Sequence, residues 1–255
     1  MSEFQPGRKS LTSKFFRETN RLPFVDNSLR ERAKWMMKEM SFTEETAPDE
    51  LSMGEHGVED ERATKTEVNK SGKHVLCVGA GKGHEMEAIL NEFPGIKVTG
   101  VDPHDYYGPP VERRLKESGR DVQYLHESVH AGDLKEIPDN SVDAATLLFV
   151  LHHIDASEHD QVMAELRRVL KPNGKVFVAE DLVDTEAERK TTVMMDKLLN
   201  TEVLSHGPHN YKNQQDWEAY FEGQGFRMKR EREIKPSKVR HGFFVLERIL
   251  DKETE

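Results

Sequence analysis

Cysteine is nearly missing from this chain. Cys77 is the single one among 255 residues. No disulfide can therefore close within the chain, and no thiolate cluster can hold zinc. One cysteine fits a reducing compartment. Long apolar runs are missing as well. No stretch approaches the roughly 18 residues of a membrane helix, and Met1-Ser-Glu-Phe-Gln-Pro-Gly7 lacks the apolar centre of a secretion signal. The expectation is a soluble, cytoplasmic protein with no membrane insertion. Positive charge is the third shortage: 37 Lys and Arg face 47 Asp and Glu, a formal net charge of −10. Phosphate contacts need local positive charge, so the balance disfavours a nucleic-acid partner. The first forty residues carry nine Lys or Arg against five acids, but without a dense basic run.

What is present suits one large α/β domain, or a core domain with a modest extra element. Hydrophobic residues make up 35% and charged residues 33%, enough for a core inside a well-solvated surface. Two regions are expected. Residues 1–72 form an extension. Ser28-Leu-Arg-Glu31 has the pattern of a capping box, and Leu29, Ala33, Met36 or Met37, and Met40 follow at helical spacing. The spacing predicts a helix over 29–40, carrying Trp35, that serves as a lid touching substrate or as a cap on the core. Residues 44–61 hold eight acids and no Lys or Arg, which reads as a solvated loop.

Residues 73–255 form the main domain. Strands are expected at 73–78, 96–101, 122–129, 141–150 and 174–180. Helices are expected at 84–93, 110–118 and from Asp155 to about 170, the last capped by Asp155 and ended by Lys171-Pro-Asn-Gly174. Such alternation implies a mostly parallel sheet flanked by helices. Helices near 187–204 and 214–223 come next. Strands at 225–234 and 240–249, only a short turn apart, predict an antiparallel C-terminal hairpin.

The first strand runs into Gly79-Ala-Gly-Lys-Gly83. Glycines allow a tight turn and let a ligand approach the backbone, and ligands bind beyond the carboxyl ends of parallel strands. The spacing is G-x-G-x-G, neither the G-x-G-x-x-G of dinucleotide sites nor the P-loop pattern. Asp102 ends the second strand, where a carboxylate can accept both hydroxyls of a ribose.

Residues 73–181 resemble the UbiE-like, or type 11, branch of the class I S-adenosylmethionine (SAM) dependent methyltransferases. The matching stretches are Val75-Leu-Cys-Val-Gly-Ala-Gly-Lys-Gly83, Val101-Asp102, Gly132-Asp-Leu134, Pro138-Asp-Asn-Ser-Val-Asp-Ala-Ala145, Val150-Leu-His-His-Ile154 and Leu166-Arg-Arg-Val-Leu-Lys-Pro-Asn-Gly-Lys175. The resemblance implies a seven-stranded Rossmann-like sheet and SAM as cofactor, leaving S-adenosylhomocysteine. It implies that Gly79, Ala80 and Gly81 wrap the aminoacid part and that Asp102 binds the ribose. Pro103 borders the adenine, Asp133 accepts from its amino group, and Leu134 donates through its backbone. Phe149 and Val150 line the methionine end. Cys77 is a departure, because the family often has an acid there.

Methyl transfer needs a nucleophile held in line with the methyl group, plus a base if the acceptor carries a proton. Histidines suit that role near neutrality. The candidates are His152, His153, His206 and His209. Glu180, Asp181 and Tyr211 are candidate substrate contacts, with helix capping the plainer role for the two acids. His152, His153, Asp181, His206 and His209 are metal-ligand types, but no ligand-spaced motif joins them and no metal is expected. The expected reaction is methylation of a small molecule, with oxygen slightly favoured as nucleophile. A protein or nucleic-acid acceptor, a SAM-fold enzyme of another reaction type, and a non-catalytic SAM-binding module are the alternatives. Nothing in the sequence sets the oligomeric state; a homodimer is compatible with it.

Overall fold

The computed structural model describes residues 72–93, 95–104, 108–129, 132–199, 208–234 and 239–249. The expected helix at 29–40, Trp35, the acidic loop at 44–61 and His206 lie outside the described residues. Seven strands are described: β1 His74–Val78, β2 Lys97–Val101, β3 Val122–Leu125, β4 Val142–Leu148, β5 Leu170–Leu182, β6 Phe226–Ile234 and β7 Arg240–Arg248. The described helices are α1 His84–Glu92, α2 Gly108–Glu117, α3 His159–Val169, α4 Glu186–Leu199 and α5 Gln214–Gly223. A 3₁₀ turn, Leu151–His153, follows β4.

The strands form one sheet in the order β3-β2-β1-β4-β5-β7-β6. Strands β1 to β5 pair in parallel, and β7 runs antiparallel to both β5 and β6. The C-terminal hairpin is therefore present, and its second strand is inserted beside β5. The order reverses between β1 and β4, which opens a crevice at the carboxyl ends of those strands.

Alternation within the strands explains the layers. Val75 and Cys77 face one side, packing with Met86, Ile89 and Leu90 of α1 and with Val111 and Leu115 of α2. Leu76 and Val78 face the other, packing with Val162, Leu166 and Val169 of α3 and with Trp217 and Phe221 of α5. Both faces of β1 are covered, so it reads as an unbroken apolar run. Burying a side chain of this size stabilises by about 1.5–3 kcal/mol.

Three local expectations are corrected. β3 ends at Leu125 rather than 129, because its neighbour β2 ends opposite it at Val101 and no ladder partner continues. Asp155 does not cap α3. Its carbonyl accepts from Glu158 N in a preceding turn, and the buried His159 ring donates back to the carbonyls of Leu151 and Ile154. Lys171–Gly174 does follow the helix end, but as a bulge within β5: Leu170 pairs with Val142 and Lys175 with Ala144.

Candidate functional site

The glycine turn sits on the reversal crevice. Gly79 has φ 67 and Gly81 has φ 45, a region that L side chains rarely adopt. The two glycines serve different ends. A Cβ on Gly79 would lie 2.5 Å from Val150 Cγ2, so the end of β4 is pressed against this turn. A Cβ on Gly81 would meet only Asp102 Oδ2 and Gly79 O, both at 3.9 Å and in ordinary van der Waals contact, so no side chain crowds that backbone. Gly81 N–H donates to Asp102 Oδ2 at 2.9 Å. His104 N–H donates to Oδ1 at 2.9 Å, and the His104 ring nitrogen Nδ1 lies 3.1 Å from the same oxygen. A carboxylate offers about four acceptor positions. Backbone N–H groups take two of these on Asp102, which is largely buried, and the exposed His104 ring can turn to solvent and leave two for a diol. Pro103 follows on the surface. Ala80 is placed differently from the expectation. Its side chain is buried, and its N–H donates to Val101 O at 3.0 Å, so it anchors the turn instead of facing it.

Beneath the turn lies a carboxyl that the sequence reading passed over. Glu85, in the first turn of α1, has its Oε1 shut away from solvent with no hydrogen-bond partner. Burial pushes its carboxyl up to about 7, with the Thr146 hydroxyl pulling the other way. The Cys77 thiol is raised by its own burial and by the Glu85 charge, and Cys77 pairs with Thr146 across β1 and β4. An acid therefore stands beside the position where the family pattern would put one.

The Gly132–Leu134 loop is held from α3. Glu165, almost wholly buried, accepts from Gly132 N at 2.8 Å and Leu134 N at 3.1 Å. Arg168 donates to Glu165, to Leu134 O and to Ile137 O. The Leu134 N–H is thus occupied by Glu165, which corrects the expectation that it faces an adenine. Asp133 accepts from Ser128 Oγ at 2.6 Å.

At the end of β4, Phe149 has φ 60 and its N–H donates to Ala179 O at 2.7 Å. The next three residues converge on Glu180. Its Oε1 accepts from Val150 N at 3.1 Å and from Leu151 N at 2.7 Å, and its Oε2 lies 2.5 Å from His152 Nδ1. Burial alone would push the His152 imidazole down, but Glu180, with Asp181 and Asp196 behind it, outweighs burial and lifts it to about 9. His152 is only 1% exposed and its ring is held by the Glu180 carboxylate, so of the four candidate bases it is poorly placed to take a proton from an acceptor. Glu180 is itself fully buried with both oxygens engaged within the fold, which corrects its reading as a substrate contact. Asp181 is likewise engaged, 2.5 Å from His241 Nδ1 on β7. Neither acid caps α4. Thr185 and Glu188 do so as a capping box, with Glu188 N donating to Thr185 Oγ1 and Thr185 N to Glu188 Oε2.

A third carboxylate gathers the remaining polar groups. Asp196, on the inner face of α4, lies 3.6 Å from His153 Nε2 and 3.4 Å from His209 Nδ1, and it accepts from Tyr211 O–H at 3.1 Å. Burial, then Asp196, raises the Tyr211 phenol well above its ordinary range. The 208–213 segment is tied in place by Asn210 N to His152 O, Arg189 to His209 O, and Val183 N to Lys212 O. The structure thus joins His152, His153, His209 and Tyr211, as the sequence suggested, around an Asp196 that it did not. His241 was also missed; its ring meets Phe149 edge-on at 5.1 Å.

Residues 76–178 match the family model described as a methyltransferase domain. A mitomycin biosynthesis 6-O-methyltransferase of Streptomyces lavendulae is 28% identical over 155 residues, 60% of this chain and 41% of that one. A demethylmenaquinone methyltransferase of Thermus thermophilus is 28% identical over 123 residues, 47% of this chain and 52% of its own. The chain spans about half the length of the curated relatives it matches. A solved geranyl diphosphate methyltransferase in complex with SAM superposes with a TM-score of 0.62 at 12% identity, covering 96% of this chain and 93% of that one. At that identity the likeness speaks for the fold. No helix among the described residues is long and apolar enough to cross a membrane.

Proposed function

Residues 76–178 belong to the class I SAM-dependent methyltransferases of the type 11 family, and from that premise we propose that the chain methylates a small-molecule acceptor, with an oxygen nucleophile slightly favoured. The observation that carries this reading is the glycine turn, whose uncrowded Gly81 backbone is bonded to the Asp102 carboxylate at the crevice. That turn, the orphan Glu85 oxygen and the reversal crevice fit SAM. When bound, SAM supplies a methyl group activated by its sulfonium charge.

The chain's own residues bind and orient. Gly79 and Gly81 bring backbone to the aminoacid end, and Glu85 supplies a carboxylate for its ammonium. Asp102 takes the ribose hydroxyls, Pro103 borders the adenine, and Asp133 accepts from its amino group. Phe149 and Val150 line the methionine end. His153 is 30% exposed and His209 10% exposed at the side chain, so these two, with Tyr211, are the groups that orient the acceptor, and His209 is the one that receives its proton. Asp181 orients His241 as a further base at the same edge. Oxygen is favoured because these groups suit a hydroxyl that must lose a proton, and because one relative is named as a 6-O-methyltransferase.

The test is incubation of the full chain with labelled SAM and phenol, carboxylate and amine acceptors. Labelled product with an equal amount of S-adenosylhomocysteine supports the reading. SAM bound with neither product formed favours a binding module.

A further inference from the structure

Two neighbouring imidazoles and a carboxylate from another element meet at the end of β4. His152 and His153 share the 3₁₀ turn, with ring centroids 4.1 Å apart. Asp196 reaches them from α4, its Oδ2 3.8 Å from His152 Nε2 and its Oδ1 3.6 Å from His153 Nε2. One ligand atom from each of the three lies within 4.8 Å of the others.

The decisive atom is His152 Nε2. The residue is 1% exposed, yet this nitrogen has no hydrogen-bond partner. Buried polar atoms are nearly always satisfied, so an orphan aimed at a carboxylate and a second imidazole points to a missing partner. The other nitrogen, Nδ1, is held by Glu180 Oε2 at 2.5 Å, and Glu180 is itself held by the N–H groups of Val150 and Leu151. A carboxylate behind one ring nitrogen fixes the tautomer and turns the other toward a metal.

We propose that His152 Nε2, His153 Nε2 and the Asp196 carboxylate bind a divalent transition-metal ion of the zinc type. Two imidazoles with one carboxylate, and no thiolate, suit zinc, cobalt or ferrous iron over magnesium or calcium. Ligands on a tetrahedral zinc ion stand about 3.3 Å apart. The carboxylate stands 3.6 and 3.8 Å from the two imidazole nitrogens and all three ligand groups lie within 4.8 Å, so side-chain rotations close the set to that spacing. Three protein ligands leave a position open, the arrangement of reactive rather than purely structural sites. Tyr211 and His209, 3.1 and 3.4 Å from Asp196 Oδ2, position the carboxylate. Metal at Nε2 displaces the proton held there. The sequence expectation of no metal followed from the absence of a ligand-spaced motif. Here the third ligand lies on a helix far along the chain. The open position would take the acceptor's heteroatom and ease loss of its proton. That role rests on the methyltransferase reading; the metal site itself does not.

The experiment uses untagged full-length protein stripped with chelator. Zinc is titrated in competition with a chromophoric chelator, and cobalt is titrated while its visible absorption is followed. One equivalent of zinc is expected, with cobalt bands of a low-coordinate N/O site. His153→Gln and Asp196→Asn should each weaken zinc by more than about 100-fold, and Tyr211→Phe by about tenfold. Thermal melting checks that each variant folds; the His153 side chain is 30% exposed and that of Asp196 8%, so H153Q serves if D196N does not. Binding below one equivalent, or zinc affinity unchanged in a folded H153Q, overturns the proposal. SAM affinity is measured on the same samples. Zinc bound without SAM would sink the cofactor reading alone, and SAM bound without zinc would sink the metal site alone.

Discussion

The Glu180 carboxylate holds the His152 imidazole at 2.5 Å from Nδ1 while its other oxygen takes the N–H groups of Val150 and Leu151. One buried acid thus sets both the path of the chain after β4 and the orientation of a ring at the candidate acceptor site. Removing one member of a buried ionic pair typically costs about 3–5 kcal/mol. Glu180→Ala should lose that much in urea denaturation. Glu180→Gln keeps an acceptor for the two backbone donors and should lose clearly less. Equal losses would mean that the charge on Glu180 does all the holding and its bonds to the loop none.

The contact between Gly79 and Val150 gives a second expectation. Gly79→Ala forces a side chain into φ 67, costing about 1–2 kcal/mol. It also drives a methyl to 2.5 Å from Val150 Cγ2, and overpacking of this kind costs about 1–3 kcal/mol. Adding Val150→Ala should recover the second part and leave the first. Thermal melts of the single and double variants check this. A double variant no more stable than Gly79→Ala would show that the two sites do not press on each other.

Glu85 makes the proposed SAM site pH-dependent. Its carboxyl titrates near 7, above the ordinary 4.5. Below 7 it is mostly protonated and cannot pair with an ammonium; above 7 it is ionised. SAM affinity should therefore rise several-fold between about pH 6 and about pH 7.5, and fall back above about pH 8 as the SAM α-amino group, whose ordinary value is about 7.7–8.0, loses its proton. Glu85→Gln should bind more weakly at the top of the rise and flatten it. Calorimetric titration across that range decides it, and a wild-type profile that already falls between about pH 6 and about pH 7.5 removes Glu85 from the ammonium.

Arg168 should matter to the far side of the same pocket. It ties Glu165 to the 132–139 loop through Leu134 O and Ile137 O. Hydrogen bonds to charged groups contribute about 1.5–3 kcal/mol. Arg168→Ala should destabilise by about 2–3 kcal/mol and speed amide exchange in Gly132–Leu134. Exchange unchanged there would mean that the loop is held without the arginine.

The fold was legible where local physics sets it. Buried strands such as Val75–Val78 and Val142–Leu148 read as apolar runs, and the glycine turn marked the end of β1. The short stretch between β6 and β7 announced a hairpin, but nothing local says that β7 lies beside β5. The site was legible only in part. Gly79, Gly81 and Asp102 lie at the ends of recognisable strands. Asp196 sits within an ordinary amphipathic helix, and only folding brings it to His153 and His209. Glu180 and Asp181 stood at the right edge of the sheet, but their partners, His152 and His241, are set by strand register, which a one-dimensional pattern does not carry. Glu85 was hidden for the same reason. Its closeness to Cys77 and Thr146 follows from how α1 packs on β1 and β4.

The central claim is that this crevice binds SAM through Asp102, and calorimetric titration of SAM into the wild-type chain and Asp102→Ala tests it most directly. Saturable one-to-one binding by the wild type is expected. The variant should be about 100-fold weaker, the loss of two charge-assisted hydrogen bonds at about 1.5 kcal/mol each. Circular dichroism should show the variant folded. Absent binding in the wild type, or equal affinity in a folded variant, would contradict the account.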